Sequence, residues 1–235
     1  MSVPLHISIS EKLRQQIAAG EYAPGEKLPS EHQLMDTFEV SRITVRQAIA
    51  NLINQGLASS QQGKGVFVTT QQKVAYSLSS PLVLLEKDLA DKGIQLTFKN
   101  LTFRKVHPPK GVQRILSLSE KSAYLQKKLL YMNGAVGAID ISYISPALGK
   151  QFGPALKRQM TFPTLEENAI AIEHVEATIE CTRADYETSG HLEVPLGHPL
   201  IVYKYTAHTA KQRPILYGET ISRADRFCYT LTVKR

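Results

Sequence analysis

Two arginines one helical turn apart are the residues with the clearest chemistry in the first third of the chain. Arg42 and Arg46 stand in the segment VSRITVRQAIANLINQGL, just after Ser41, a candidate helix N-cap. A guanidinium group can form two parallel hydrogen bonds to a phosphate or to O6 and N7 of guanine. A helix N-terminus also favours anions. The pair therefore indicates a phosphate-rich partner, and the alternative is a solvated flank on a packed helix.

The helix that carries the arginines is predicted from apolar spacing, and Gly56 is placed to end it. Its predicted buried stripe follows the i, i+3, i+4, i+7, i+8 pattern: Val45, Ala48, Ile49, Leu52 and Ile53. A shorter helix precedes it, beginning at a predicted capping box of Ser30 and Gln33. A first helix is predicted from apolar residues that recur every four positions: Leu5, Ile9, Leu13 and Ile17.

A β-hairpin is predicted after these helices, in LASSQQGKGVFVTT. Extended pieces at about 57–60 and 65–70 flank Gln62-Gly63-Lys64-Gly65, whose glycines permit a tight reversal. The GKG is not a nucleotide-binding P-loop, because Ala58 stands where the first glycine is required and Gly65 replaces the Ser/Thr after the lysine. Three helices followed by a hairpin describe a winged helix-turn-helix.

Residues 5–68 contain four motifs in a fixed order: G-x-Y-x-P-G-x-x-LPSE, VSR-x-TVR, GL and QGKG-x-FV. Together these motifs resemble the winged helix-turn-helix of the GntR family of bacterial repressors. The resemblance implies that the helix with the two arginines faces the DNA major groove and that the wing tip reaches the minor groove. His32 stands where relatives often have arginine, and an imidazole is a weaker, pH-dependent substitute. The DNA-binding positions it implies are Ser41, Arg42, Ile43, Thr44, Arg46, Gln47, His32, Gln62, Gly63 and Lys64.

Each of these residues also has a purely structural alternative. Ser41 can serve only as a cap, Lys64 only as a solvated turn cation, and Ile43 only for packing. Arg46 can pair with a carboxylate such as Glu31. The combination of these residues in one register favours DNA binding over the separate structural roles.

The remaining two thirds of the chain predict a linker and an α+β domain. Residues 71–81 are polar and read as the linker between domains at 1–70 and 82–235. A short helix is predicted at about 82–93, and further helices near 111–117, 164–171 and 184–193. Strands are predicted in LTFKNLTFRKV, VEATIECTRA and FCYTLTVK, with hairpins around Asn133–Gly134 and near Lys211–Arg213. An antiparallel sheet dominates this prediction.

Segments of this second domain resemble the UTRA effector-binding domain of the HutC branch of GntR regulators, over about 80–235. They are LEKDLADKG, KKLLYMNG, AIDISYISP, VPLGHPLIVYKY and RPILYGETISRADRF. The resemblance implies a chorismate-lyase-like fold with a cavity between sheet and helices. Leu130 and Leu216 replace an arginine and a glutamate common in relatives, so Lys128 is the remaining cation. The effector-binding positions it implies are Lys128, Asp140, Tyr143, Thr161, Tyr217 and Arg223; the alternative for the tyrosines is a place in the β core.

Composition narrows the possible classes of function. Net charge is +7, but residues 1–75 contribute only +1, so a DNA-binding first domain would use placed cations rather than a strongly basic surface. Cys181 and Cys228 form no CxxC and the seven histidines show no metal-ligand spacing, so we expect no metal or other cofactor. The chain shows no signal peptide and no apolar run long enough to span a membrane, so a cytoplasmic setting is expected.

These observations predict a ligand-responsive transcription factor rather than an enzyme. The expected protein is a homodimeric repressor that binds a palindromic operator and is released by a small-molecule effector. One alternative is an enzyme of chorismate-lyase type with a DNA-binding arm, which Leu130 and Leu216 disfavour because such a lyase needs charged pairs to hold a dicarboxylate. Another is a winged-helix module that joins protein partners, which the arginines and the GKG wing disfavour.

Overall fold

The computed structural model describes residues 4–69, 73–78, 89–210 and 213–232. The chain divides into two compact units, Met1–Lys73 and Val74–Arg235. The N-terminal unit contains α1 (Leu5–Ala18), α2 (Glu31–Phe38) and α3 (Arg42–Asn54), followed by the antiparallel strands β1 (Ala58–Gln61) and β2 (Gly65–Val68). The predicted winged helix-turn-helix is therefore confirmed.

The predicted caps and apolar stripe fix the helices of the N-terminal unit. The Ser30 amide donates to Gln33 Oε1 at 2.8 Å, and the Gln33 amide donates back to Ser30 Oγ at 3.3 Å. Ser41 Oγ accepts from the Thr44 amide at 3.3 Å and so caps α3. Gly56 adopts φ 71°, as a left-handed residue after a helix end requires. The core includes the α3 stripe and its partners from α1 and α2: Leu13, Leu34, Val45, Ala48 and Leu52.

A six-stranded antiparallel sheet forms the centre of the C-terminal unit. Its strands are β4 (Leu96–Val106), β5 (Ala123–Met132), β6 (Ala135–Ile144), β7 (His174–Arg183), β8 (Pro199–Thr209) and β9 (Arg213–Arg223), in the order β4-β5-β6-β9-β8-β7. The helices are α4 (Lys110–Ile115), α5 (Pro146–Leu156), α6 (Thr161–Glu167) and α7 (Tyr186–Leu192). The turn between β5 and β6 has φ 48° at Asn133 and 78° at Gly134, which confirms the hairpin predicted there.

The two faces of this sheet carry different layers, because successive side chains of a strand point to opposite faces. On one face, residues of α5 and α6 pack against the sheet; this core includes Leu148, Leu156, Leu165, Tyr205 and Leu216. On the other face, residues of α7 and its flanks do so; this core includes Leu129, Ile139, Ala184, Leu192 and Leu200. We call these the α5/α6 face and the α7 face.

A short parallel strand pair differs from the prediction. β3 (Val74–Ser77) lies inside the predicted linker and pairs with β10 (Phe227–Thr230), which was predicted as a last edge strand. Val74 and Tyr76 are buried between less buried neighbours, so a strand pattern was present in a polar stretch. Most of the helix predicted at 82–93 lies outside the described residues; residues 89–91 are helical, and Gly93 follows with φ 70°.

Helix α5 was not predicted, because its glycines and Pro154 resemble a loop. Pro146 at its start is compatible with a first helical turn. Gly149 lies against the Tyr124 ring, where a Cβ would come within 2.3 Å of Tyr124 Cδ2. The glycine therefore allows close packing of helix on sheet. Among the described residues, no helix is long and apolar enough to cross a membrane.

Candidate nucleic-acid interface and effector cavity

The outer side of α3 presents its polar residues to solvent. The side chains of Arg42 and Arg46 are 66% and 70% exposed, and Ile43 is 71% exposed. Ser41 and Gln47 are also exposed, and Thr44 is half-buried. The Ser41 and Thr44 hydroxyls lie 2.9 Å apart. The helix thus separates a packed inner stripe from an outer row in which two guanidinium groups stand at the N-terminal end.

One carboxylate of α2 lies against both arginines. Glu31 Oε1 is 3.7 Å from Arg46 Nε, and Glu31 Oε2 is 4.0 Å from Arg42 Nε. The ion-pair alternative for Arg46 is therefore present in the structure. Exposed pairs of this kind contribute at most about 1 kcal/mol, so they leave both guanidinium groups available to a stronger partner. His32, the next residue of α2, is largely exposed, with Nε2 3.7 Å from Asp36 Oδ2.

The hairpin tip places Gln62, Gly63 and Lys64 in solvent. The Lys64 amide donates to the Gln61 carbonyl at 3.0 Å, and Gly63 has φ 72°. A third extended segment supports the hairpin, with the Leu28 amide donating to Val66 O at 2.8 Å. The structure thus brings all the predicted DNA-binding residues to exposed or half-buried positions of the N-terminal unit.

A cavity opens on the α5/α6 face of the C-terminal unit, with about 720 Å³ of empty space when its open mouth is included. Most of its wall is apolar, and six aromatic side chains contribute: Tyr76, Phe162, Tyr203, Tyr205, Phe227 and Tyr229. Burial raises the pKa of Tyr229 to about 12, and burial together with the charge of Asp140 raises the pKa of Tyr205 well above its ordinary value. These tyrosines are therefore neutral hydroxyl groups at physiological pH.

Asp140 is the acidic group among the described residues of the cavity wall, and it is only 5% exposed. Its Oδ1 accepts a hydrogen bond from Ser142 Oγ at 2.7 Å. Its Oδ2 accepts from Tyr205 Oη and Thr220 Oγ1, each at 3.0 Å. Three hydroxyl donors on three strands thus hold this carboxylate at the cavity wall.

Two other predicted residues lie on the same side of the sheet. Thr161, at the start of α6, lines the cavity and donates to Gln126 Oε1 at 2.8 Å. Lys128 is the register partner of Asp140, so it shares its face, but it is absent from the described lining. The Lys128 ammonium donates to the Gln159 carbonyl and lies 4.4 Å from the centroid of the Phe98 ring.

The other three predicted effector residues lie on the opposite face, so their assignment to one cavity with Asp140 does not agree with the structure. Tyr143 and Tyr217 are register partners on the α7 face, and the Tyr217 hydroxyl donates to Glu219. Arg223 is an even number of residues from Tyr217 on β9, so it lies on the same face. It forms two hydrogen bonds to Asp225, at 3.1 and 2.6 Å. The physical reason is the two-residue alternation of a strand, which puts positions 140 and 143 on different faces.

Sequence reasoning missed most of the aromatic wall. Thr220 is the register partner of both Asp140 and Tyr203, and Tyr205 follows on the same face. The tyrosines of YKYT could have been assigned to this face from their parity once the strand pairing was known. Gly218 makes room for the Tyr205 ring, because a Cβ there would come within 2.2 Å of Tyr205 Cζ. In the described part of the chain, no group of three metal-ligating side chains is assembled.

Comparison with known protein families gives one match for each of the two units. Residues 6–68 match the family of bacterial regulatory proteins called gntR, and residues 91–228 match the UTRA domain. The chain therefore belongs to the GntR regulatory proteins that carry a UTRA domain, as the resemblance predicted. It is a DNA-binding transcriptional regulator with an effector-binding domain, not an enzyme.

Individual relatives are similar over nearly the whole chain. The HTH-type transcriptional repressor NagR of Bacillus subtilis is 26% identical, with 97% of this chain and 93% of NagR aligned. The mannosyl-D-glycerate transport/metabolism system repressor MngR of Escherichia coli is 26% identical, with 99% and 97% aligned. The crystal structure of PhnF from Mycobacterium smegmatis has a TM-score of 0.62 at 18% identity, with 96% and 99% covered, and shows the same fold.

Proposed function

We propose that this regulator is a cytoplasmic repressor of the HutC branch, which binds a palindromic operator as a homodimer and is released by a small metabolite. The observation that carries the DNA-binding part is the exposure of Arg42 and Arg46 at the N-terminal end of α3, while the opposite side of this helix is core. The names of the relatives NagR and MngR as repressors support the direction of regulation.

The proposed DNA contacts follow from this geometry. Arg42 and Arg46 read base edges in the major groove, because their guanidinium forks match guanine O6 and N7. Ser41 and Thr44 lie at the helix N-terminus, where hydroxyl and amide groups suit phosphate. Ile43 is exposed and apolar, which suits a thymine methyl group. Gln47, His32 and the wing tip residues Gln62, Gly63 and Lys64 complete the proposed contacts.

The proposed effector site is the aromatic cavity around Asp140 and Thr161. MngR is named for the mannosyl-D-glycerate system, and another Escherichia coli relative is named for a fructoselysine utilization operon, which supports a small metabolite as effector. Thr220 and Tyr205 join the proposed site because they hold Asp140. Lys128 lies on the same face as Asp140 and contacts Gln159 and Phe98.

The proposed coupling runs through β3. Val74 is the first residue of the C-terminal unit, and Tyr76, two residues later, is part of the cavity wall. A ligand that moves Tyr76 therefore acts on the chain segment that leads directly to the DNA-binding unit. A coupling free energy of about 1–3 kcal/mol between effector and operator is typical of allosteric proteins. The effector must lower the affinity for the operator by the same factor by which the operator lowers the affinity for the effector.

The test is selection of bound duplexes from a random DNA library, followed by mass measurement of the complex with the enriched duplex. We expect a two-fold-symmetric consensus with half-sites about one helical turn apart and two chains per duplex. An asymmetric consensus bound by one chain would contradict the dimeric operator. No enrichment at all would contradict specific DNA reading by the free protein.

A further inference from the structure

Three hydroxyl groups on the described wall of the cavity use their hydrogen atoms for contacts inside the protein. Tyr205 and Thr220 donate to Asp140, and Thr161 donates to Gln126. A hydroxyl group has one hydrogen and two lone pairs, so each of these oxygens can still accept a hydrogen bond but has no hydrogen left to give. These three hydroxyls therefore face the cavity as acceptors.

Asp140 adds a charged acceptor to this wall. An ionised carboxylate has about four lone-pair positions, and three hydroxyl hydrogens occupy three of them. One lone-pair position of this carboxylate, which is part of the cavity wall, therefore accepts none of these three hydrogens. Because the group is almost fully buried, an added positive charge would meet it with little screening by water.

The aromatic side chains of the cavity wall also favour a positively charged ligand. Tyr203 and Tyr229 are stacked with centroids 5.4 Å apart, and Tyr76 meets them edge-on at 6.4 and 5.7 Å. The faces of such rings carry negative partial charge and attract cations. The described lining residues include no lysine, arginine or histidine. The ammonium group of Lys128, on the same face of the sheet, is engaged by the Gln159 carbonyl and the Phe98 ring.

We propose that the effector carries a protonated amine, which binds the free lone pair of Asp140 while its apolar body packs against the tyrosines. This inference rests on the proposed function, in which the cavity is the effector site. A phosphate or carboxylate placed beside Asp140 would meet a carboxylate of like charge, which repels it. It would also meet the hydroxyl groups of Tyr205 and Thr220, whose hydrogens are already donated to Asp140. The ligand class is therefore amines with an aromatic or aliphatic body.

The experiment is calorimetric titration of the full chain, without DNA, with ligands of matched shape and different charge. The amines are phenethylamine, tyramine and tryptamine; the anions are hydrocinnamate, phloretate and indolepropionate, which have the same carbon frames; phenethyl alcohol and glucose phosphate complete the panel. We expect at least one amine to bind about tenfold or more tightly than its anion and than the neutral alcohol, as a hydrogen bond to a charged group requires.

Asp140→Asn removes the charge and keeps the side-chain shape, so it should weaken amine binding about tenfold or more. Glu219→Gln is the matched control, because Glu219 lies on the α7 face, and it should leave binding unchanged. If Asp140→Asn does not fold, the amine-to-anion ratio of the unmodified chain tests the proposal alone. Binding of an anion in preference to every amine, or no binding by any amine, would overturn it.

A parallel titration of the protein–operator complex separates this inference from the proposed function. An anion that binds the cavity and releases the operator would overturn the amine assignment and leave the repressor in place. An amine that binds through Asp140 without changing operator affinity would support the ligand class and contradict the effector role of the cavity.

Discussion

Glu31 lies near both of the arginines that we propose to enter the major groove, with one carboxylate oxygen toward each. In the free protein it holds the two guanidinium groups near one another and offsets part of their charge. Phosphate or guanine would compete with it for the same groups. We therefore expect this carboxylate to weaken the attraction of the arginines to DNA that lacks the matching bases.

Arg46→Ala should weaken binding to the selected duplex by about 1–3 kcal/mol and relax its sequence preference, because a bidentate base contact would be lost. Fluorescence anisotropy with selected and scrambled duplexes measures both effects. Arg104→Ala, at an exposed arginine of β4 in the C-terminal unit, is the matched control. Unchanged affinity for the selected duplex would show that Arg46 makes no base contact.

Glu31→Gln should raise affinity for a scrambled duplex roughly two- to fivefold, the size of an exposed ion pair, and should lower the ratio of specific to non-specific binding. The amide keeps the shape but removes the negative charge beside the arginines. The same anisotropy assay measures this ratio, with Glu166→Gln, an exposed glutamate of α6, as control. An unaltered affinity for scrambled DNA would contradict the role of Glu31.

The role of a single residue could be predicted from the sequence where its contacts are with residues close to it in the chain. Ser30, Gln33 and Ser41 were predictable as caps, because their partners lie three residues away. The predicted effector residues do not all share one face, because Tyr143 and Tyr217 lie on the α7 face, opposite the Asp140 cavity. The face of a residue depends on strand pairing, which a single sequence does not define.

Elements that depend on distant partners were the ones not predicted. β3 is four residues long and pairs with β10, about 150 positions later, so no local pattern could indicate this partner. Helix α5 contains Gly149, Gly153 and Pro154, which locally favour a loop, yet the two glycines let the helix approach Tyr124 and Phe103. The wing and the Asn133–Gly134 hairpin were predictable because turn residues specify them locally.

A buried ionic cluster joins the end of β9 to the start of β8 and the end of α7. Arg223 donates to both oxygens of Asp225 and to the Leu192 carbonyl, and His198 Nε2 lies 3.1 Å from Asp225. Burial by itself would raise the pKa of Asp225, but the hydrogen bonds and charge of Arg223, aided by His198, outweigh it and lower the pKa. The folded state therefore favours the ionised carboxylate.

Because the folded pKa of Asp225 lies below its unfolded value of about 3.9, its stabilising contribution is present above that pH and is lost as pH falls through the folded pKa. Asp225→Asn should lower the free energy of unfolding by about 3 kcal/mol at pH 7, since Arg223 would keep a buried charge without its partner. Urea unfolding between pH 7 and pH 3.5 should show the difference shrinking in acid. Glu166→Gln is the control, and an equal loss at every pH would contradict this origin.

At the scale of the whole molecule, positive charge is not concentrated in the DNA-binding part. Residues 1–75 carry a net charge of +1, and the remaining +6 lies elsewhere in the chain. We therefore expect specific binding to come from a few placed cations in the N-terminal unit, and the proposed two-fold-symmetric dimer would double their number. The wide distribution of charge also implies weak, salt-sensitive attraction to any duplex.

Sequence-specific DNA reading is tested most directly by the salt dependence of binding to the selected duplex and to a scrambled one, measured by anisotropy with the intact protein. We predict that the selected duplex binds at least about a thousandfold more tightly, and that both affinities fall linearly with salt on logarithmic axes. Equal affinity for the two duplexes at every salt concentration would contradict sequence-specific DNA reading by α3.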